Sequence, residues 1–96
     1  MKNIEVKEEA KKYSIIIKKT AQKFLDGLDD KNFNRIDDKI MSLKFNPFPK
    51  GIKKLFVYEC YRMRVGNFRL LYTVDTKKYE ITILDIDNRK DVYKRK

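Results

Sequence analysis

The stretch YRMRVGNFRLLYTVD, residues 61–75, limits the possible folds more than any other part of the chain. Gly66-Asn67 is a two-residue turn signal with glycine first, as a type II′ hairpin turn prefers. Apolar residues alternate on both sides of it. A two-residue turn sets the register, so Val65 opposes Phe68, Arg64 opposes Arg69, Met63 opposes Leu70 and Arg62 opposes Leu71. Opposed residues share a face, and faces alternate along each strand. One face then carries Tyr61, Met63, Val65, Phe68, Leu70, Tyr72 and Val74, and the other carries Arg62, Arg64, Arg69, Leu71 and Thr73. A slip by one residue would move the arginines to the other face and turn every apolar side chain out in exchange, so the register is strongly specified. The chain must supply cover for the first face and a reason for the second.

Arg64 and Arg69 face each other directly, and like charges so placed repel. Such a pair is either neutralised by nearby carboxylates, here Glu59, Asp75, Asp85 or Asp87, or kept for an anion. Guanidinium suits phosphate because its planar fork donates two bonds at once and stays charged. The whole chain leans the same way: 24 Lys+Arg against 14 Asp+Glu, a net charge of +10. The excess lies mainly in residues 49–96, which hold 13 basic and 6 acidic residues against 11 and 8 in residues 1–48. An anionic partner follows: nucleic acid first, then an acidic protein, then a membrane surface. A merely solvated, lysine-rich surface is the plain alternative. The chain has no histidine and one cysteine, so the usual metal ligand and the usual general base are missing and no internal disulfide can form. Catalysis would fall to carboxylate, tyrosine, lysine or arginine, with no metal and no cofactor. Cys60 reads as a small buried apolar group.

The other segments supply the cover. Tyr13–Lys18 (YSIIIK) is a β-branched run of strand length. Thr20 stands where an N-cap would, before a helix of about two turns with Phe24, Leu25 and Leu28 on its apolar side. Gly27 and Asp29-Asp30 break it. Phe33, Ile36, Ile40 and Leu43 recur at helical spacing, which predicts an amphipathic helix over about 31–44. FNPFPKG (45–51) excludes regular structure. LFVY (55–58), the two hairpin strands and YEITILDID (79–87) follow as strand material. The fold class is α+β: an N-terminal strand, a helical hairpin, then an antiparallel sheet of about four strands packed on the helices. With 96 residues, no repeat and no linker, one domain spanning 1–96 is expected, with 1–12 as a polar N-terminal arm. No window approaches the roughly 18 apolar residues of a membrane span, and the N-terminus has no secretory h-region. A cytoplasmic protein is expected.

YRMRVGNFRLLY (61–72) followed by NRKDVY (88–93) resembles the RelE/ParE superfamily of toxin–antitoxin toxins. Upstream, a strand, a helical hairpin and Asn46-Pro47 after the long helix fit the same pattern, so the resemblance covers about 13–93. It implies a fold similar to small microbial ribonucleases. In the RelE branch it implies cleavage of mRNA in the ribosomal A site by attack of the ribose 2′-oxygen on the adjacent phosphate. Carried over, Arg69 would stabilise the phosphorane, Arg89 would stand near the leaving group, and Tyr93 would stack on a base or take part in proton transfer. Arg62 and Arg64 fall where the best-known branch has lysines. A guanidinium with pKa above about 12 holds its proton too firmly to be an ordinary base, so these two are better cast as electrostatic clamps. Tyr93, Lys90 or Lys94 would then move protons, and Lys54, Lys90 and Lys94 extend the substrate-binding set. The partners implied are the ribosome, with its rRNA and A-site mRNA, and a cognate antitoxin that wraps the toxin as a partly disordered chain. Two other functions remain open: a ParE-like gyrase inhibitor on the same fold, and a basic nucleic-acid-binding module without catalysis.

Overall fold

A computed structural model describes residues 12–55 and 60–88. Five strands and two helices run in the order β1 (Ser14–Ile17), α1 (Lys19–Asp26), α2 (Asp30–Ser42), β2 (Lys53–Leu55), β3 (Cys60–Val65), β4 (Phe68–Asp75) and β5 (Glu80–Asn88). The strands form one sheet in the order β1-β5-β4-β3-β2. Four of them are antiparallel neighbours, as the sequence predicts. β1 adds a fifth, parallel to β5, with Ser14 opposite Glu80 and Ile17 opposite Ile83. Neither helix is long and apolar enough to cross a membrane.

The hairpin register is the one the turn dictates: Val65 opposes Phe68, Arg64 opposes Arg69, and Arg62 opposes Leu71. Gly66 has φ +63, while Asn67 is not among the positive-φ residues, as a type II′ turn requires. A second constraint holds glycine there. A Cβ at position 66 would stand 3.1–3.2 Å from the Arg35 guanidinium, which reaches under the turn from α2.

One face of the sheet is covered by the helices. Ala21 and Leu25 from α1, Ile36 and Ile40 from α2, and Leu43 just beyond it meet Met63, Val65, Phe68, Leu70, Tyr72, Ile81, Ile83 and Ile86 in a single buried cluster. The apolar spacing read from the sequence is the spacing of this contact. Within the FNPFPKG segment Asn46 Oδ1 accepts from the Phe48 N–H at 3.2 Å, and the segment is tied to the sheet by the buried Tyr72 hydroxyl, which donates to the Pro47 carbonyl at 3.0 Å. Burial, and then the neighbouring Tyr61, raise the Tyr72 hydroxyl from 10.0 to about 12.

Three boundaries differ from expectation. The second strand begins at Lys53, ahead of the run LFVY; residues 56–58 of that run lie outside the described residues. A short edge strand tolerates lysines that a central strand would reject. Thr20 is not the helix cap: Lys18 is, in an extended conformation and without a side-chain cap bond. The Thr20 hydroxyl instead donates to the Leu84 carbonyl on β5 at 3.2 Å. The last strand starts at Glu80, because Tyr79 takes φ +55 in the preceding turn and sets its ring edge-on to Tyr13.

The Leu84 carbonyl belongs to an irregularity that matters for the open face. Leu71 pairs with Asp85 but Tyr72 pairs with Ile83, so Leu84 is an extra residue, a β-bulge. Up to that point Ile81 and Ile83 point to the helices; beyond it Ile86 does. Asp85 and Asp87 are thereby turned onto the face of the arginines. In an unbroken strand they would share the parity of Ile81 and Ile83 and point into the core.

Candidate active site

On the face away from the helices, charges lie in rows that run across the strands. One row is Lys53, Arg62, Leu71 and Asp85; the next is Arg64, Arg69 and Asp87. Directly opposed residues across a strand pair lie about 4.5–5.5 Å apart, and successive residues on one face of a strand about 6.7 Å apart. Cations therefore occupy β2, β3 and the middle strand, and carboxylates occupy β5.

Arg69 is the best-defined member. Its Nε donates to Asp87 Oδ1 at 3.1 Å and its Nη2 to Asp87 Oδ2 at 3.2 Å. The pair is partly exposed, 24% for the arginine side chain and 42% for the aspartate, so it contributes about 1 kcal/mol or less to stability. Arg62, Arg69, Leu55, Leu71, Asp85 and Asp87 line a recess of about 220 Å³. A second, shallower furrow of about 310 Å³ is bounded by Gly51, Lys53, Arg62 and Arg64.

The carboxylates expected to neutralise the arginines divide between different tasks. Asp87 takes Arg69. Asp75 accepts from the backbone N–H groups of Lys77 and Lys78, both at 3.0 Å, and so closes the turn before β5. The Lys78 amide, with Lys77 helping, holds its carboxyl below the usual carboxylate range. Asp85 accepts from the Ile86 N–H at 3.0 Å, a bond beside the bulge. Glu59 lies outside the described residues. Among the described residues no carboxylate pairs with Arg62 or Arg64. Among the described residues, then, one arginine of this face is paired with a carboxylate and two are not.

Arg62 is part-buried and Arg64 exposed, and both stand beside Lys53. Lys54, taken with the substrate-binding set from the sequence, pairs across with Tyr61, whose parity is that of the core face. Lys53 is the lysine opposite Arg62, and the sequence reading missed it because no tight turn fixes the β2–β3 register. Asp87 stood only as one of four carboxylates able to neutralise the arginines, with no particular partner assigned. The signal was present in ITILDID, where isoleucines at 81, 83 and 86 break the period of two. Arg89, Lys90, Tyr93 and Lys94 lie outside the described residues. Cys60 is buried, and burial pushes its thiol up, away from a reactive thiolate.

This sequence and this topology have counterparts. The description "ParE toxin of type II toxin-antitoxin system, parDE" belongs to a family whose sequence pattern matches residues 6–93. The chain belongs to the RelE/ParE toxin superfamily. Among RelE/ParE relatives, a Methanocaldococcus jannaschii protein named "Putative toxin RelE1" is 37% identical over 87 residues, spanning 86% of this chain and 97% of that one. A chain of the archaeal RelE–RelB complex from Pyrococcus horikoshii shares the fold with a TM-score of 0.74 at 28% identity, covering 81% of this chain and 96% of that chain. A chain of the toxin–antitoxin complex RelBE2 from Mycobacterium tuberculosis gives 0.72 at 25% identity, covering 81% and 92%. The RelE/ParE fold expected from the hairpin is the fold observed.

Proposed function

We propose that this RelE/ParE protein is the toxin of a type II toxin–antitoxin system and cleaves mRNA in the ribosomal A site without a metal. The observation that carries the reading is the open face itself, where Lys53, Arg62 and Arg64 flank an Arg69 held in a recess. In the reaction, the ribose 2′-oxygen attacks the adjacent phosphorus, the bond to the 5′-oxygen breaks, and a 2′,3′-cyclic phosphate and a 5′-hydroxyl result. The 2′-hydroxyl loses a proton and the departing 5′-oxygen gains one. Negative charge grows on the non-bridging oxygens meanwhile, and fixed guanidinium groups stabilise that charge more than they stabilise the ground state. Arg69 and Arg64 serve as these groups, and Arg62 with Lys53 grips the neighbouring backbone. Arg89 and Tyr93 are assigned to the leaving group and to stacking or proton transfer, with Lys90 and Lys94 beside them, on sequence resemblance.

The named relative and the RelE–RelB complex support this branch and support a cognate antitoxin as the silencing partner. One observation favours a second reading: the matching family description is that of ParE, the branch for which the resemblance implies gyrase inhibition. Translating ribosomes incubated with the protein decide between them. Mapped mRNA ends clustered at the A site are expected. Intact message together with gyrase-dependent DNA breaks would replace the first reading with the second.

A further inference from the structure

We infer that Asp87 is a positioning residue, which aims the Arg69 guanidinium at the scissile phosphate by gripping its far edge. The inference rests on the ribonuclease reading above, but its geometry is independent of it. A guanidinium carries five N–H bonds in one plane. Asp87 engages the side edge, Nε and Nη2, with one carboxylate oxygen each. The end edge, between Nη1 and Nη2, keeps one N–H from Nη2 and both from Nη1. Those suffice for the two parallel bonds with which arginine holds a phosphate. Carboxylate and phosphate therefore bind the same side chain without competing.

The neighbours explain why such a grip is useful. Arg64 stands directly across from Arg69 on β3, and Asp87 stands directly across from it on β5. Repulsion from Arg64 and attraction by Asp87 act in the same direction, drawing the Arg69 head toward β5. The two guanidinium groups are thereby drawn apart rather than left facing each other. Without Asp87, Arg69 would be a long, flexible cation facing another cation, and its productive orientation would be one of several rotamers. The side chain can reach Arg69 only because the bulge at Leu84 turns Asp87 away from the core.

The test uses the full-length protein and two readouts. In nitrogen-detected NMR, the Arg69 Nε–H should exchange slowly with solvent. Addition of 2′-O-methyl hexauridylate, which cannot be cleaved, should move the Nη1 signals and leave Nε–H in place. In Asp87→Ala the Nε–H should exchange about tenfold faster or more. On translating ribosomes, Asp87→Ala should lower the single-turnover cleavage rate by about tenfold or more, with the ribosome concentration at half-saturation changed by less than about twofold. Asp87→Glu, which keeps the carboxylate, should recover most of that rate, whereas Asp87→Asn should recover little. Loss of the Nε–H bond when the oligonucleotide binds would overturn the inference, because carboxylate and phosphate would then be rivals. Faster cleavage by Asp87→Ala, or a change confined to half-saturation, would overturn it too. If the wild-type protein cuts no message, the ribonuclease reading fails, and the guanidinium spectra alone decide whether Asp87 orients Arg69 toward phosphate.

Discussion

Replacing Tyr72 with phenylalanine separates two properties of one buried hydroxyl. The side chain is fully buried and its hydroxyl donates to the Pro47 carbonyl at 3.0 Å. At neutral pH the substitution removes that bond and strands an acceptor, a loss of about 1 kcal/mol. Alkaline pH reverses the comparison. Desolvation first, and the neighbouring Tyr61 second, raise the folded-state pKa from 10.0 to about 12. A group whose folded pKa exceeds its unfolded value adds stability that is complete below the unfolded pKa and vanishes as pH rises through the folded one. As pH rises through about 10 to 12 the wild-type protein should therefore lose stability that Tyr72→Phe does not lose, about 1.9 kcal/mol of a full loss of about 2.7 kcal/mol. Subtracting the two effects makes the stability curves cross near about pH 10.7, with the variant ahead by about 1 kcal/mol at about pH 11.5. Urea unfolding of both proteins at intervals from pH 7 to about 11.5 measures this directly. A difference that stays constant across the range would refute the reasoning, since it would mean that folding does not alter the ionisation of Tyr72.

Gly66→Ala should destabilise by about 1–3 kcal/mol, because an alanine at φ +63 is strained and its Cβ meets the Arg35 guanidinium. Thermal melting reads the loss, and shortening Arg35 in the same protein should recover part of it. Thr20→Val removes the donor to the Leu84 carbonyl, so a loss of about 1 kcal/mol is expected, with hydrogen exchange quickened at the bulge and at Asp87. For single-stranded RNA, Lys53→Ala should flatten the salt dependence of binding by about 0.7, one phosphate's worth. Lys54→Ala should change it less, and an equal change from both would contradict the β2–β3 register. Arg69→Ala should abolish most toxicity while leaving the melting temperature nearly unchanged; an unfolded variant would make Arg69 structural.

Different parts of the fold were legible to different degrees, and the differences have physical causes. The hairpin could be read residue by residue because a two-residue turn couples chain position to register, and alternation then assigns the faces. The long helix was equally plain, since Phe33, Ile36, Ile40 and Leu43 have one period and one environment. The pairing of β1 with β5 has no local signature: a parallel contact joins segments far apart in the chain, and no turn announces it. Thr20 misled for a related reason. A threonine near a helix start satisfies the usual capping pattern, yet its hydroxyl found a carbonyl on β5, a partner invisible from neighbouring residues. Around the site, the three arginines and their common face were readable from the hairpin alone. Which of them is paired was not, because the answer depends on a bulge one strand away. Lys53 and Lys54 could not be told apart, because the chain between β2 and β3 does not fix a register.

The parallel strand pair also has a consequence for how the protein comes into being. The Ser14 N–H bonds to the Tyr79 carbonyl, at a sequence separation of 65. A chain emerging from the ribosome makes the hairpin strands and both helices before β5 exists, and β1 has no partner in the sheet until then. Closing so large a loop is a slow entry into the native state, and it leaves apolar strand edges uncovered while it lasts. The Arg69–Asp87 clamp joins β4 to that same late strand. The cations are thus synthesised early and arranged late. A nascent or truncated chain would carry the charge of this surface without its aimed guanidinium, and the completed site appears only when the sheet closes.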